Sequence, residues 1–332
     1  MPTKKIIFSL FFLIFLVLGS VIWGQKKLNH YLNTALVTQP TLFTINNGSN
    51  FHRLGGNLLK TEIITDLTWW KVLGKLHPEL INIKSGTYQF EPGFTLNDIL
   101  MTVNEGIEHQ FIITFVEGST FKEWLPILNN APFIKPLQET EAQILKRLKS
   151  SHKKLEGLLF PETYHYSAGM TAFQIIKKSY VNQQQILEKL WADRDKELPF
   201  KTPYEALILA SIVEKESGLS ADRDKIASVF VNRMRIGMRL QTDPTVIYGM
   251  GDRYDGRIRS KDLREETPYN TYRINGLPPT PIAMPSEAAL YATLHPSTTK
   301  YLYFVSKGDG TSYFSKSLRE HNNAVQKYIL GK

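Results

Sequence analysis

The stretch that decides the fold is TPYEALILASIVEKESG, Thr202 to Gly218. Thr202 is placed as an N-cap, Pro203 fills the first helical position, Glu205 stands three residues after the cap, and Gly218 supplies a stop. At about 100° per residue, Glu216 projects over Leu209, Ile212 and Val213, and Glu214 over Leu207, Ala210 and Ser211. Both faces are apolar, so the sequence predicts a helix buried inside a domain, with carboxyls at its end. Desolvation and the negative end of the helix dipole both favour the protonated form there. Either glutamate is therefore a candidate general acid. The plainer alternative is that EKES frays into solvent, with Lys215 pairing its neighbours.

Downstream, DRDKIASVFVNRMRIG (Asp222 to Gly237) reads as an amphipathic helix with Ile226, Val229, Phe230 and Met234 inward and Lys225, Asn232 and Arg235 outward. The chain then reads as loop-rich through LQTDPTVIYGMG (Leu240 to Gly251), PYNTY (Pro268 to Tyr272) and GLPPTPIAMP (Gly276 to Pro285). Structured loops beside a candidate acid suit a polymer-binding groove. Gln241, Thr242, Asp243, Tyr248, Asn270, Thr271 and Tyr272 are candidates to bind sugar, because hydroxyls, amides and aromatic rings match N-acetyl groups and pyranose faces. Asp243, before Pro244, reads equally as a turn residue. Tyr301 to Val305 and Ser312 to Phe314 form a predicted hairpin around Gly308 to Gly310.

Upstream, Phe51 to Thr61 and Asp66 to Lys75 look helical. Ser85 to Gly106 gives a strand, a turn and a helix capped by Thr95 with Asp98, and Phe111 to Val116 gives a second strand. No catalytic cluster falls in this part, which suits a binding or spacer module, or simply a small α+β domain. Phe133 to Lys154 reads as a solvated helix joining two units. EGLLFPETYHY, Glu156 to Tyr166, is too irregular for one element and reads as a sugar-lining loop or a packed aromatic corner.

Ile6 to Trp23 carries no charge over 18 residues, roughly 27 Å as a helix, enough to cross a bilayer core. It reads as a retained anchor, with residues 1–5 as a cytoplasmic tail and the body outside the cytoplasm. A cleaved signal peptide is the alternative, but the run is long for a signal core and no A-x-A site closes it. Lys4 and Lys5 before it are matched by Lys26 and Lys27 after it, so charge alone does not orient it.

The 332 residues allow about two domains, and 42% hydrophobic with 11% aromatic content is that of a folded chain. Forty Lys and Arg against 31 Asp and Glu give a net charge of +9, compatible with nucleic acid, an anionic membrane or an anionic polymer. The export-type anchor and the lack of a reader motif disfavour nucleic acid. Without cysteine there is no disulfide, thiolate site or cysteine nucleophile. His165, His295 and His321 lie in the motif blocks without metal-ligand spacing, and neither GxxxxGK[ST] nor GxGxxG occurs, so no metal and no cofactor are expected.

SIVEKES, RLQTDPTVIYGMG, YNTY, GLPPTPI, HP followed by YLYFV, and HNNAV, together with IKSGTYQFEPG and EGLLFPETY, resemble the YceG-like (MltG) family of endolytic murein transglycosylases. The resemblance implies an α+β fold: a single N-terminal transmembrane helix at 6–23, a small LysM-like domain at 40–130, a helical connector at 131–155, and a mixed α/β catalytic domain of lytic transglycosylase type at 156–332. It implies a lyase, single-pass in the bacterial inner membrane with its body in the periplasm, that cuts nascent peptidoglycan within its strands and so limits their length. The family's acid maps onto Glu216, leaving Glu214 as the fallback. Glu216 would protonate the oxygen between N-acetylmuramic acid and N-acetylglucosamine and then take the proton of the muramic C6 hydroxyl, closing a 1,6-anhydro ring. Most glycosidases need two carboxylates. Here one convincing carboxylate is found and one suffices, because water is not the nucleophile. Peptidoglycan strands, the membrane and nearby synthases are the implied partners. A noncatalytic membrane-anchored scaffold that holds wall synthases is the alternative.

Overall fold

The computed structural model describes residues 2–217 and 220–331. The chain divides into two compact units, Met1–Phe111 and Ile112–Lys332.

The first unit begins with a helix, α1 (Pro2–Asn33). It runs on past Trp23 where a mixed polar segment was expected from Asn29, because Leu28 and Leu32, one turn apart, are buried in this unit's core. A strand that was not anticipated follows, β1 (Thr41–Ile45), then α2 (Phe51–Lys60), α3 (Trp70–Leu76), β2 (Gly86–Phe90) and α4 (Leu96–Glu105). β1 and β2 pair antiparallel from Thr41 opposite Phe90 to Ile45 opposite Gly86. Phe43, Ile45, Tyr88 and Phe90 are buried against Leu54, Leu58, Leu73 and Leu100. α3 starts later than the expected Asp66, whose carboxylate accepts the Thr68 N–H at 2.8 Å and so closes a turn rather than opening a helix. The Phe51 ring stacks on Trp70 at 4.3 Å. A Cβ on Gly55 would stand 2.5 Å from the Trp70 ring, so only glycine lets α2 sit this close. Thr95 and Asp98 form the expected reciprocal cap of α4.

β3 (Phe111–Thr114), in the second unit from its second residue on, forms a two-stranded sheet with β4 (Thr163–Tyr166). Between them lie α5 (Phe121–Asn129) and α6 (Glu141–Arg147). The long connecting helix expected over Phe133 to Lys154 is therefore reduced to α6. Thr140 and Gln143 cap it late, and Lys149 at φ +57° follows its end. After β4 come α7 (Ala172–Ala192), α8 (Pro203–Glu216), α9 (Arg223–Arg235), α10 (Asp243–Met250) and α11 (Glu287–Leu294). A hairpin of β5 (Tyr303–Ser306) and β6 (Ser312–Ser315) precedes α12 (Leu318–Tyr328). α10 corrects the loop reading of Leu240 to Gly251: Pro244, with its fixed φ, falls in the first turn of a helix.

α8 lies at the centre, packed by α7, α9, α10 and α11. Eight consecutive residues, Ala206–Val213, are buried, as a helix apolar on every side requires. Thr202 accepts the Glu205 N–H at 3.3 Å, while the Glu205 carboxylate takes the Lys201 N–H at 2.6 Å rather than completing a reciprocal cap. The expected stop at Gly218 lies outside the described residues; within them, the Ser217 N–H closes the helix onto the Val213 carbonyl at 2.9 Å.

Candidate active site

Glu216 ends α8 at the wall of a cavity of about 350 Å³. Gln241, Asp243 and Tyr272 line the same cavity, joined by Arg233 and His321. The Glu216 carboxylate accepts a hydrogen bond from the Thr242 hydroxyl. Thr242 is fixed in turn: its N–H donates to the Thr271 hydroxyl at 3.0 Å, and its carbonyl accepts from Thr245 at 2.8 Å. The Tyr272 hydroxyl donates to Asp243 Oδ1 at 2.6 Å.

Burial pushes the Glu216 pKa above the usual carboxylate range; the Thr242 hydrogen bond opposes this, the Asp243 charge adds to it, and the Arg233 charge opposes it. An acid that must give up a proton and then take one back needs such opposed influences, because neither form can be overwhelmingly favoured. Asp243, expected as a sugar-binding candidate and equally as a turn residue, stands in this cavity. The sequence offered one convincing carboxylate; the fold puts a second in the same cavity, its Oδ1 already accepting from Tyr272.

Glu214, two residues earlier, is placed differently. Its carboxylate accepts the Ser286 N–H at 2.9 Å and the Ser286 hydroxyl, and Arg223 Nη2 stands 3.9 Å away. Its side chain is only 8% exposed. It fastens the N-terminus of α11, which Ser286 caps. Arg223 also donates through Nε to the Ser217 hydroxyl at 3.2 Å, so one guanidinium steadies both residues that flank Lys215 and Glu216.

Three of the sequence-derived sugar-binding candidates are committed elsewhere. Asn270 is 1% exposed, and its amide N–H donates to the carbonyls of Asp262, Leu263 and Glu265, bracing its loop. Thr271 is fully buried and acts on Thr242. Tyr248 donates its hydroxyl to Glu156 Oε2 at 3.0 Å. In each case burial supplies a protein partner for the polar group.

Arg233 escaped the sequence reading, which noted His321 only as a motif histidine without metal-ligand spacing and Glu156 only as the start of an irregular aromatic segment. Arg233 is 7% exposed and donates to the carbonyls of Leu302 and Leu240, both at 2.6 Å, and of Arg239 at 3.3 Å. Burial lowers its pKa. Its signal was present: spacing from Ile226, Val229 and Phe230 sets Arg233 on the apolar stripe of α9. The His321 ring stacks on Tyr303 at 5.2 Å, and its Nδ1 is buried without a partner among the described residues. Glu156, 6% exposed, accepts the Phe121 N–H at 2.9 Å and the Tyr248 hydroxyl. Burial raises its pKa to about 7 against those two hydrogen bonds, with Glu141 and Glu123 adding repulsion. The adjoining Gly157 is at φ +75°, where a Cβ would come within 2.4 Å of Pro281, so EG at this place is a packing requirement.

Among the described residues no group of three or more His, Cys, Asp or Glu is placed to hold a metal ion. A proton-favouring carboxyl in a cavity lined by a tyrosine, an amide and a second carboxylate defines the class: a candidate acid–base site for a polar substrate. The chain belongs to the YceG-like family, whose model matches residues 43–327. An endolytic murein transglycosylase of Bacillus subtilis (strain 168) is 32% identical over 333 residues, covering 95% of this chain and 91% of the relative. One of Streptococcus pneumoniae serotype 2 (strain D39) is 28% identical over 256 residues, covering 74% of this chain and 45% of that longer protein. The crystal structure of a yceG-like protein from Listeria monocytogenes superposes with a TM-score of 0.54 at 29% identity, covering 86% of this chain and 99% of that one.

Proposed function

We propose that this chain is a membrane-anchored endolytic lytic transglycosylase of peptidoglycan, a lyase that cuts between N-acetylmuramic acid and N-acetylglucosamine within nascent strands and so limits their length. The observation that carries this reading is Glu216: a buried carboxyl at a cavity wall, held by one hydroxyl donor, in a chain whose relatives are endolytic murein transglycosylases. In the first step protonated Glu216 gives its proton to the glycosidic oxygen. The bond from muramic C1 to that oxygen breaks with its electron pair leaving on the oxygen, and C1 becomes oxocarbenium-like. In the second, the Glu216 carboxylate takes the proton of the same sugar's C6 hydroxyl, and O6 bonds to C1. No water is consumed, and the proton first lost is regained.

Gln241, Asp243 and Tyr272 contact the sugars in this scheme, with the Asp243 charge opposite the developing cation. Thr242 positions the acid. Tyr248, Asn270 and Thr271 act through the loops they hold, and Glu214 holds α11. A LysM-like wall-binding domain lies within residues 40–130. The apolar run of α1, long and apolar enough to cross a membrane, is a single-pass anchor in the bacterial inner membrane, and the body lies in the periplasm among the synthases that make the strands.

The test is to incubate the detergent-solubilised chain and its Glu216→Gln variant with uncleaved glycan strands and identify the new ends by mass spectrometry. Anhydro-muramic ends from the parent and none from the variant support the reading. Cleavage by neither protein, both folded, would leave a scaffold that holds synthases at the wall.

A further inference from the structure

The first unit carries a cleft of about 550 Å³ that the reaction does not use, lined by His52, Lys71, Lys75, Phe51, Gly74 and Ile81 together with Asn50. Its walls are mostly apolar and its charged side chains all basic. Among the described residues neither lysine has an ion-pair or hydrogen-bond partner. Asp66, the nearest acidic residue in sequence before α3, turns its carboxylate to the Thr68 N–H.

Two contacts fix where the segment leading into α3, which carries Lys71 and Lys75, stands along α1. The Tyr31 hydroxyl donates to the Asp66 carbonyl at 3.0 Å, and the Trp23 and Trp69 rings meet at 6.2 Å between centroids. Tyr31 and Trp23 are eight residues apart on one helix, about 12 Å. Residues 66–69 therefore descend along α1 toward its apolar run, and α3 begins level with Trp23, where that run ends. Because Leu28 and Leu32 are built into the core of this unit, the helix holds that level rather than swinging on a linker. A pair of tryptophans at the end of an apolar helix marks the interfacial zone of a bilayer. Lys26 and Lys27 lie within one turn of the same level.

We infer that the cleft of the first unit binds the phosphodiester headgroup of an anionic membrane lipid: Lys71 and Lys75 pair with the phosphate, and Phe51, Gly74 and Ile81 shelter the glycerol and first acyl carbons. This rests on the anchor reading of α1. Headgroup capture would seat the first unit on the membrane surface and supplement a helix that by itself leaves the unit free to rotate about its axis. Cationic side chains at an anionic leaflet each gain roughly a fivefold preference.

The experiment places the full chain in nanodiscs of phosphatidylcholine with and without phosphatidylglycerol and follows amide hydrogen exchange over residues 69–76. The expected result is exchange slowed roughly five- to tenfold by phosphatidylglycerol, with the difference abolished in Lys71→Gln/Lys75→Gln. Equal exchange in the two lipids, the same slowing in the double variant, or equal protection by inorganic phosphate in phosphatidylcholine discs would each overturn the proposal. Intact mass of the membrane-extracted protein reports the anchor separately: a chain retaining residues 1–23 that shows no lipid effect sinks the headgroup site alone, whereas a chain lacking them removes the ground for both.

Discussion

Glu214 and Glu216 stand two residues apart on the same buried helix, yet their surroundings are opposite. Glu214 is met by the Ser286 N–H and hydroxyl and by Arg223, all protein partners. Glu216 has the Thr242 hydroxyl and an open cavity, with Asp243 and Arg233 pulling its proton in opposite directions. A carboxylate surrounded by fixed donors is a structural tie, because its charge is already solvated by the protein. One left short of donors beside a cavity is available to a substrate. Two residues of rotation on α8 separate the two cases.

The largest effect that could break this contrast is on turnover. Glu216→Gln is expected to lower strand cleavage by about 10³-fold while Tm holds or rises, since an amide suffers no ionisation penalty there. Loss of activity together with a collapsed Tm would instead make Glu216 a structural tie like Glu214.

Next come two substitutions with opposite expected signs. Thr242→Val removes the hydrogen bond that lowers the Glu216 pKa, so the alkaline limb of the activity profile is expected at higher pH, with a rate loss of about tenfold. Asp243→Asn removes a charge that raises it, so the same limb is expected at lower pH. Shifts in one direction for both would mean that the limb reports another group.

Glu156 sharpens the contrast with a third buried carboxyl. Its folded pKa of about 7 lies above the ordinary 4.5. The folded state therefore binds the proton more tightly than the unfolded one. The stability this contributes is fully present below pH ~4.5 and is lost as pH rises through about 7, on the order of 3 kcal/mol. Glu156→Gln is expected to flatten that part of the Tm profile between pH 5 and 8; a profile identical to the parent's would remove the assignment. Smallest in activity is Glu214→Gln, expected to stay within about threefold in cleavage while losing about 1–3 kcal/mol of stability, read from denaturant midpoints.

What the sequence made legible was local. The Thr202 and Pro203 start of α8, the Thr95 and Asp98 cap of α4 and the burial of Ala206–Val213 depend on residues within a few positions of one another. The same local pattern put two carboxyls at the end of this helix, and the choice of Glu216 over Glu214 came from the family resemblance. Asn270 and Thr271 were misplaced among direct sugar contacts because a polar loop residue shows its chemistry but not its burial; only the fold supplies the carbonyls and hydroxyls that consume it. Arg233 and Glu156 were missed because their partners are 6 to 92 positions away along the chain. The short helix α6 replaced a longer expected one because composition there could not show where a cap begins it.

Water is the measurement that reaches the central claim most directly. If one carboxyl serves as acid and then as base to the substrate's own hydroxyl, cleavage run in ¹⁸O-labelled water must yield anhydro-muramic ends carrying no label. One ¹⁸O at a reducing muramic end would contradict this, making the reaction a hydrolysis and Asp243, 29 positions from Tyr272 in the chain but bonded to it in the cavity, the base that activates water.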